Sequence, residues 1–428
     1  LAFPIRMGRL NSDGSLDSTY TMDASVTGIA NPWSLDASER IVFSSGDTFV
    51  RLLQDGSLDT TFNTNVGIFG KVSAIARQTD GKVLVTGEFT KFNGGATANF
   101  VRTNDDGTLD PTFNAGSGFN TPPAALFLQP DGKIIAIGTF NQYNGSPVPG
   151  IVRVLANGAI DSGFNITLDA GRHIYWIEVL SDGKMYVAGD FSTIGGTSRP
   201  GVARLNSDGS LDPSFNAFIG GNPNITAVAV QPDGKVLIGG NFSGIGGFNR
   251  SGFARVDSTG ALDVAFDPSN TVAGRIVLSP DGHIFTAAMY SGSSVRRRNS
   301  DGNIDAGFAP PAFQNSQNSS DVFIDTLLPG ADGTVIVGGQ FDLVGNQRRY
   351  NLVRLAPNGK LDLLFMPKGA NGRIRSIVSS SGQVLAGGDF TMIGGTVRSA
   401  IARLTIAPFR KTTPYDFDGD GKADFVVY

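Results

Sequence analysis

Apolar residues in this chain alternate with small or polar ones in short runs, and glycine punctuates the runs. Residues 223–266 show the pattern. Ile225 to Gln231 alternate, and Pro232-Asp233-Gly234 breaks the run. Val236 to Phe242 resume it, and Gly244 to Ser251 form a glycine-rich loop. Gly252 to Val256 give a third run, Ser258-Thr259-Gly260 a second break, and Leu262 to Phe266 a short last run. Period-two alternation is the mark of a strand, and Asp-Gly between apolar runs is a strong hairpin signal. The 3.6-residue period of an amphipathic helix is absent. The segment predicts four short antiparallel strands in a unit of about 51 residues.

The unit recurs. One signature reads Arg-Leu-x-x-Asp-Gly-x-Leu-Asp-x-x-Phe, with its best copies starting at Arg9, Arg51, Arg204 and Arg354. Its turn glycines are Gly14, Gly56, Gly107, Gly158, Gly209, Gly260, Gly302 and Gly359. The other reads Asp-Gly-Lys-Val-Leu-Val-x-Gly-x-Phe, with turn glycines Gly81, Gly132, Gly183, Gly234, Gly282, Gly333 and Gly382. A four-stranded sheet cannot bury both faces alone, and stacking such sheets in a ring buries them and protects the edges. The fold expected is therefore all-β: a β-propeller of four-stranded antiparallel blades over residues 1–404.

Units begin near Val26, Val72, Ala124, Ile174, Ile225, Arg275 and Asp325, and a last one near Ile374 supplies three strands up to Leu404. Eight blades are expected. Seven is the alternative, because the first unit is eroded to Ser38–Ser45. Leu16 to Tyr20 are expected to supply the missing strand and so close the ring from the N-terminus. One conflict attends that closure: Arg9-Leu10 and Arg403-Leu404 both read as a third strand, and one blade holds only one. The repeated Phe (Phe62, Phe113, Phe164, Phe215, Phe266, Phe308, Phe365) is expected between blades. The repeated Asp (Asp59, Asp110, Asp161, Asp212, Asp263, Asp305, Asp362) and Arg (Arg51, Arg102, Arg153, Arg204, Arg255, Arg354) are expected to make structural turn and ion-pair contacts.

Composition narrows the function. The net charge is −4 with 17% charged residues, which leaves no basic stripe for nucleic acid. With no cysteine, disulfides, thiol catalysis and zinc–thiolate sites are excluded. The two histidines, His173 and His283, stand at unequal repeat positions and support no Ser-His-Asp triad. No run reaches the roughly 18 apolar residues of a membrane helix. The chain starts Leu1-Ala2-Phe3-Pro4, as a mature or trimmed fragment would.

Candidate ligand residues follow from ring geometry. The residue between Gly and Phe in the second signature is mostly polar, and its copies would share one rim. Glu88, Asp190, Asn241, Gln340 and Asp389 are the candidate set, with Thr139 and Met289 as the other copies. The plainer reading is a solvated strand end. Arg199, Arg250, Arg349 and Arg398 would form a basic arc suited to acidic glycans, or else independent surface loops. Arg296-Arg297-Arg298 is expected to be exposed.

After Leu404 the pattern stops, and residues 405–415 read as a linker. Asp416, Asp418, Asp420 and Asp424 then alternate as side-chain oxygen ligands, with the Lys422 carbonyl and a sharp turn at Gly421, a spacing that suits calcium. Residues 416–428 thus read as the start of a second domain.

The two signatures, recurring in register over roughly residues 6–404, resemble the delta-60 repeat family of bacterial β-propeller proteins. The resemblance implies a secreted or surface-exposed protein and brings no assigned reaction. Gly239-Gly240, Gly338-Gly339 and Gly387-Gly388 are kelch-like, but the Tyr and Trp that follow in kelch repeats are missing. The acidic loop resembles the calcium loop that opens FG-GAP or VCBS-type repeats; Val427 stands where an EF-hand has its bidentate Glu. That resemblance implies further C-terminal repeats in a precursor. The function expected is a non-catalytic extracellular structural or interaction module, with an unknown protein or glycan as partner at the cell surface. The alternative is a carbohydrate-binding or carbohydrate-cleaving propeller.

Overall fold

In the computed structural model the alternating runs are strands and the glycine breaks are turns. The structure describes residues 68–406 apart from 93–94, 105, 269–271, 289–293, 317–321, 367 and 381–382, together with residues 15, 17–19, 21, 30–35, 41–45, 48–53, 55, 57–59 and 409. Among these residues every regular element is a strand, and each sheet is antiparallel.

The unit at residues 224–266 is representative. Asn224–Val230 pairs with Val236–Asn241, which pairs with Phe253–Val256. The first turn closes through the Gln231 N–H to the Lys235 carbonyl (2.8 Å), and Asp233 accepts from the Lys235 N–H (3.1 Å). Gly234 sits at φ +81°, the left-handed position that the bulged end of such a turn requires. The expected fourth strand shrinks to one rung, Val256 to Leu262. Beyond such a rung the chain leaves its sheet and docks on the next unit: the tail of the preceding unit reaches this one through the Asn216 N–H to the Thr259 carbonyl (2.9 Å). Gly260 permits that approach, because a Cβ there would lie 2.4 Å from the Asn216 carbonyl. The segment expected as a loop at Gly244–Ser251 begins instead with a small hairpin, Gly244–Ile245 with Phe248–Asn249, turning on Gly246 and Gly247 at φ +60° and +84°.

Arginine joins the units, as expected. Arg204 Nε donates to Asp212 (2.9 Å), its guanidinium lies 5.5 Å from the Phe215 ring centroid, and Nη1 reaches the Ser258 carbonyl of the next unit (2.7 Å). Arg102 repeats this with Asp110 (2.8 Å), Phe113 and the Ala156 carbonyl (2.6 Å). Arg153 and Arg255 do so with Asp161 and Asp263 and with the carbonyls of Ser207 and Ser300. Arg354 pairs with Asp362 (2.6 Å). Lys82, Lys184 and Lys235 add a second cation to the same carboxylates at 2.9–3.0 Å. The carboxylates of Asp110 and Asp212 are held well below their usual range: hydrogen bonds and these cations outweigh the desolvation that would raise them.

The run Arg296-Arg297-Arg298 departs from expectation. Arg297 takes the repeated arginine's place on Asp305 (2.6 Å), and Arg298 is buried, donating to the Gly302 carbonyl (2.8 Å) beside Phe253. A third strand places alternate side chains on opposite faces, so a run of three arginines cannot all face water.

The order of packing also departs from expectation. The first strands Ile68–Arg77, Ala125–Leu128, Ile174–Val179, Asn224–Val230, Arg275–Leu278, Phe323–Pro329 and Ile374–Ser380 pack side by side in sequence. The seventh, Ile374–Ser380, packs back against Ile68–Arg77. Val72, Ile75 and Val85 share one core cluster with Leu385 and Ala400, and a Cβ at Gly387 would meet Val72 Cγ1 at 2.7 Å. The closure expected from Leu16–Tyr20 rests in part on Leu16 and Tyr20, which lie outside the described residues. The Thr21 N–H goes to the Asp55 carbonyl (2.9 Å), the same tail-to-turn contact that joins other neighbours, beside a separate sheet of Ala30–Leu35, Ile41–Ser45 and Thr48–Leu52.

Candidate binding cavity

The seven first strands surround a cavity of about 640 Å³. Irregularities in several first strands shape its mouth. In five of them the register against the second strand shifts by one residue, at Ser73, Tyr175, Thr226, Asp325 and Arg375. Such bulges re-aim side chains. Ser73 thereby reaches the Pro123 carbonyl (2.7 Å) and Thr226 the Gly274 carbonyl (3.3 Å), each in the next sheet. Asp325 accepts two bonds from Arg373 of the next sheet (2.6 Å each). Arg375 instead makes a two-pronged pair with Asp389 of its own sheet (2.7 Å each), which raises the Arg375 pKa.

Past the bulge, pairing puts two rungs of equivalent residues in line. The outer rung is Ala74, Ala125, Trp176, Ala227, Arg275, Thr326 and Ser376. In the next rung Ala76 and Ala229 correspond to Phe127 and Glu178. Small residues dominate, so the few large ones fill the space. Arg275 reaches past Ala227 to lie 5.3 Å from the Trp176 ring centroid, and Phe127 meets Trp176 edge-on at 5.4 Å. The indole Nε1–H of Trp176 is buried without an acceptor in hydrogen-bonding geometry, although it lies near enough to Glu178 to favour that group's anion slightly. Burial wins at Glu178 and pushes its pKa up to about 7. Burial likewise lowers the Arg275 pKa, with Asp325 opposing that shift and Arg373 reinforcing it.

The residues singled out from the sequence lie one step back from this cavity, and none of the five lines it. Glu88 is exposed and pairs with Lys71 (3.4 Å), and Asn241 is exposed at the end of its strand. Asp190 accepts from the His173 N–H (2.7 Å), and Gln340 is half-buried. Asp389 touches the site only through Arg375. They end second strands, whereas the cavity is walled by first strands. The arginine arc is likewise tied to backbone: Arg199 to the Phe215 carbonyl (3.2 Å), Arg250 to Val264 (3.1 Å) and Arg349 to Leu363 (3.4 Å). Met289 and the acidic loop of Asp416, Asp418, Asp420, Lys422 and Asp424 lie outside the described residues. In the sequence these cavity residues stand out only as larger or charged side chains at positions where some other units hold alanine, at Trp176, Glu178, Arg275 and Phe127.

Residues 44–62, 78–113, 129–164, 180–215, 231–266, 330–365 and 379–405, more than half of the chain, match the family described as "Domain of unknown function (DUF5122) beta-propeller". The chain belongs to this β-propeller family. No segment between residues 266 and 330 of this DUF5122 chain matches, so the sheet that carries Arg275 departs from the family pattern. No curated protein matches. Among solved structures, the extracellular domain of the putative one component system BT4673 from B. thetaiotaomicron is similar at 11% identity and TM-score 0.47, over 83% of this chain and 50% of that one. The DUF5122 chain thus spans half the length of that domain. Selenomethionine-substituted virginiamycin B lyase from Staphylococcus aureus is similar at 13% identity and TM-score 0.49, over 79% and 96% of the two chains. YCF48 from Cyanidioschyzon merolae is similar at 12% identity and TM-score 0.46, over 79% and 96%.

A pH dependence follows from Glu178. Its folded pKa lies above the unfolded value of about 4.5, so folding takes up a proton between the two. Its contribution is fully present below about pH 4.5 and is lost as the pH rises through about 7. Glu178→Gln should flatten the fall in unfolding free energy between pH 4.5 and 7, measured by urea denaturation. An unchanged slope would show that Glu178 ionises as freely as it does in the unfolded chain.

Proposed function

We propose that this chain is a non-catalytic extracellular interaction module: a seven-bladed ring whose central cavity takes a ligand. One observation carries the reading. The chain sets Trp176 and Arg275 in a rung that the other five sheets fill with Ala, Thr or Ser, and it sets Glu178 in the next rung among Ala and apolar residues; all three side chains line one cavity. Seven blades are favoured over eight because the sheet of Ile374–Ser380 packs on that of Ile68–Arg77. The delta-60 signature supports a secreted or surface location. The resemblance of the acidic loop to FG-GAP or VCBS-type calcium loops supports a second role for the C-terminus, in which Asp416, Asp418, Asp420, Asp424 and the Lys422 carbonyl bind calcium and stiffen the junction to further repeats of that type. Calcium titration by calorimetry should give heat that Asp418→Ala abolishes; a silent wild-type titration would remove that site.

A second reading has its own support. A carboxyl with a pKa near 7 is what a general acid needs, and Glu178 stands beside Trp176 in the cavity. That combination suits a carbohydrate-cleaving propeller. Incubation with a glycan library followed by mass spectrometry separates the two readings. The module reading expects every chain length to be unchanged. Protein-dependent shortening, lost in Glu178→Gln, would replace it with the hydrolase or lyase.

A further inference from the structure

We propose that the cavity binds a small organic acid, a single carboxylate on a body the size of a ring, with Arg275 as its anchor. The proposal rests on the cavity being the ligand site and adds the class of ligand.

The groups facing the cavity are rich in donors and poor in free acceptors. Arg275, Arg375 and Arg77 supply guanidinium groups, and Trp176 supplies an indole N–H with no acceptor. Two carboxyls face them. Asp325 is engaged by both prongs of Arg373, and Glu178 is half protonated near neutrality. Arg375 already has Asp389. Arg275 is left with Trp176 beneath it, while Asp325, the acidic neighbour that stabilises its charge, is committed to Arg373. Arg275 is half-buried on the cavity wall, where a guanidinium can take a counter-charge, and a carboxylate matches its fork in two parallel bonds. The indole N–H and a protonated Glu178 would donate to further ligand oxygens.

Size and shape set the rest of the ligand. The volume lies within the roughly 300–1,000 Å³ of small-molecule pockets. Ala74, Ala125 and Ala227 leave the Arg275 level open, and Phe127 and Trp176 form an apolar wall beside it. A bare inorganic anion would leave that wall uncovered.

Tryptophan fluorescence tests this, because the chain has only two tryptophans and Trp33→Phe leaves Trp176 as the sole reporter. Benzoate and glucuronate are the carboxylate probes and distinguish an aromatic acid from an acidic sugar. Benzamide and glucose are their neutral counterparts, inorganic phosphate is the bare anion, and acrylamide is a neutral quencher. Saturable change is expected with at least one carboxylate and not with its neutral counterpart. Arg275→Gln should weaken it roughly tenfold or more, Arg275→Lys should weaken it less, and Arg199→Gln should leave it unchanged. Saturation by the neutral probes, by phosphate as tightly as by the acids, or equally in Arg275→Gln would overturn the proposal. Acrylamide separates the two levels of failure. Quenching without carboxylate binding overturns only the ligand class, whereas an unquenched Trp176 removes the open cavity itself.

Discussion

A three-stranded sheet with two apolar faces needs a neighbour on each side, and everything else in this molecule follows from meeting that need in one sheet after another. The middle strands are buried almost without a break: Val236 to Gly240 and Val335 to Gly339 are each shielded on both faces. Leaving one such face in water would expose several large side chains, at about 1.5–3 kcal/mol each. No linear stack avoids this at its two ends. The packing of Ile374–Ser380 on Ile68–Arg77 does, and Gly387 makes it possible by admitting Val72 into the space where a side chain would stand.

The arginine of each unit then fixes the spacing between neighbours. A buried ion pair by itself is weak support for a fold. Here the charge is shared among a carboxylate, a lysine, a phenylalanine face and a carbonyl in the next unit, so each buried polar group has partners. The pair Arg354–Asp362 keeps the same geometry where the lysine is replaced by Thr334. Because Asp212 holds Arg204 in its own turn while Arg204 bonds Ser258 in the next, a shift of one sheet against its neighbour would break the bond to Ser258 or pull Arg204 from Asp212. The ring is thereby held stiff enough to present a cavity of defined shape.

Much of this is legible in the sequence, and what is not has local causes. The strand runs, the turn glycines and the Arg–Asp–Phe set follow from spacing alone, because each is decided within a single unit. Closure is not so decided: the N-terminal Leu16–Tyr20 carries the same signature as every other tail, and nothing in it says which turn it meets. The rim residues Glu88, Asp190, Asn241, Gln340 and Asp389 are equivalent by repeat, yet equivalence fixes height in the ring and not which strand faces its centre. That depends on the bulges at Ser73, Tyr175, Thr226, Asp325 and Arg375, which a period-two pattern hides. Arg298 is misread for a related reason, since a charged run is judged by composition and its burial by strand register.

Seven repeats that differ at only a few inward positions make a scaffold on which specificity can change without disturbing the core. Trp176 and Glu178 stand on one strand and Arg275 on a strand two sheets further along, and all three line the cavity that the first strands surround. Closure is therefore the claim on which both fold and site depend, and a double-mutant cycle across the seam measures it. Gly387→Ala should destabilise the protein by about 1–3 kcal/mol through overpacking against Val72. Val72→Ala in the same chain should remove that clash, giving a coupling of at least about 0.5 kcal/mol between residues at opposite ends of the array. Effects that simply add would mean that the two sheets do not touch, and would contradict the closed ring.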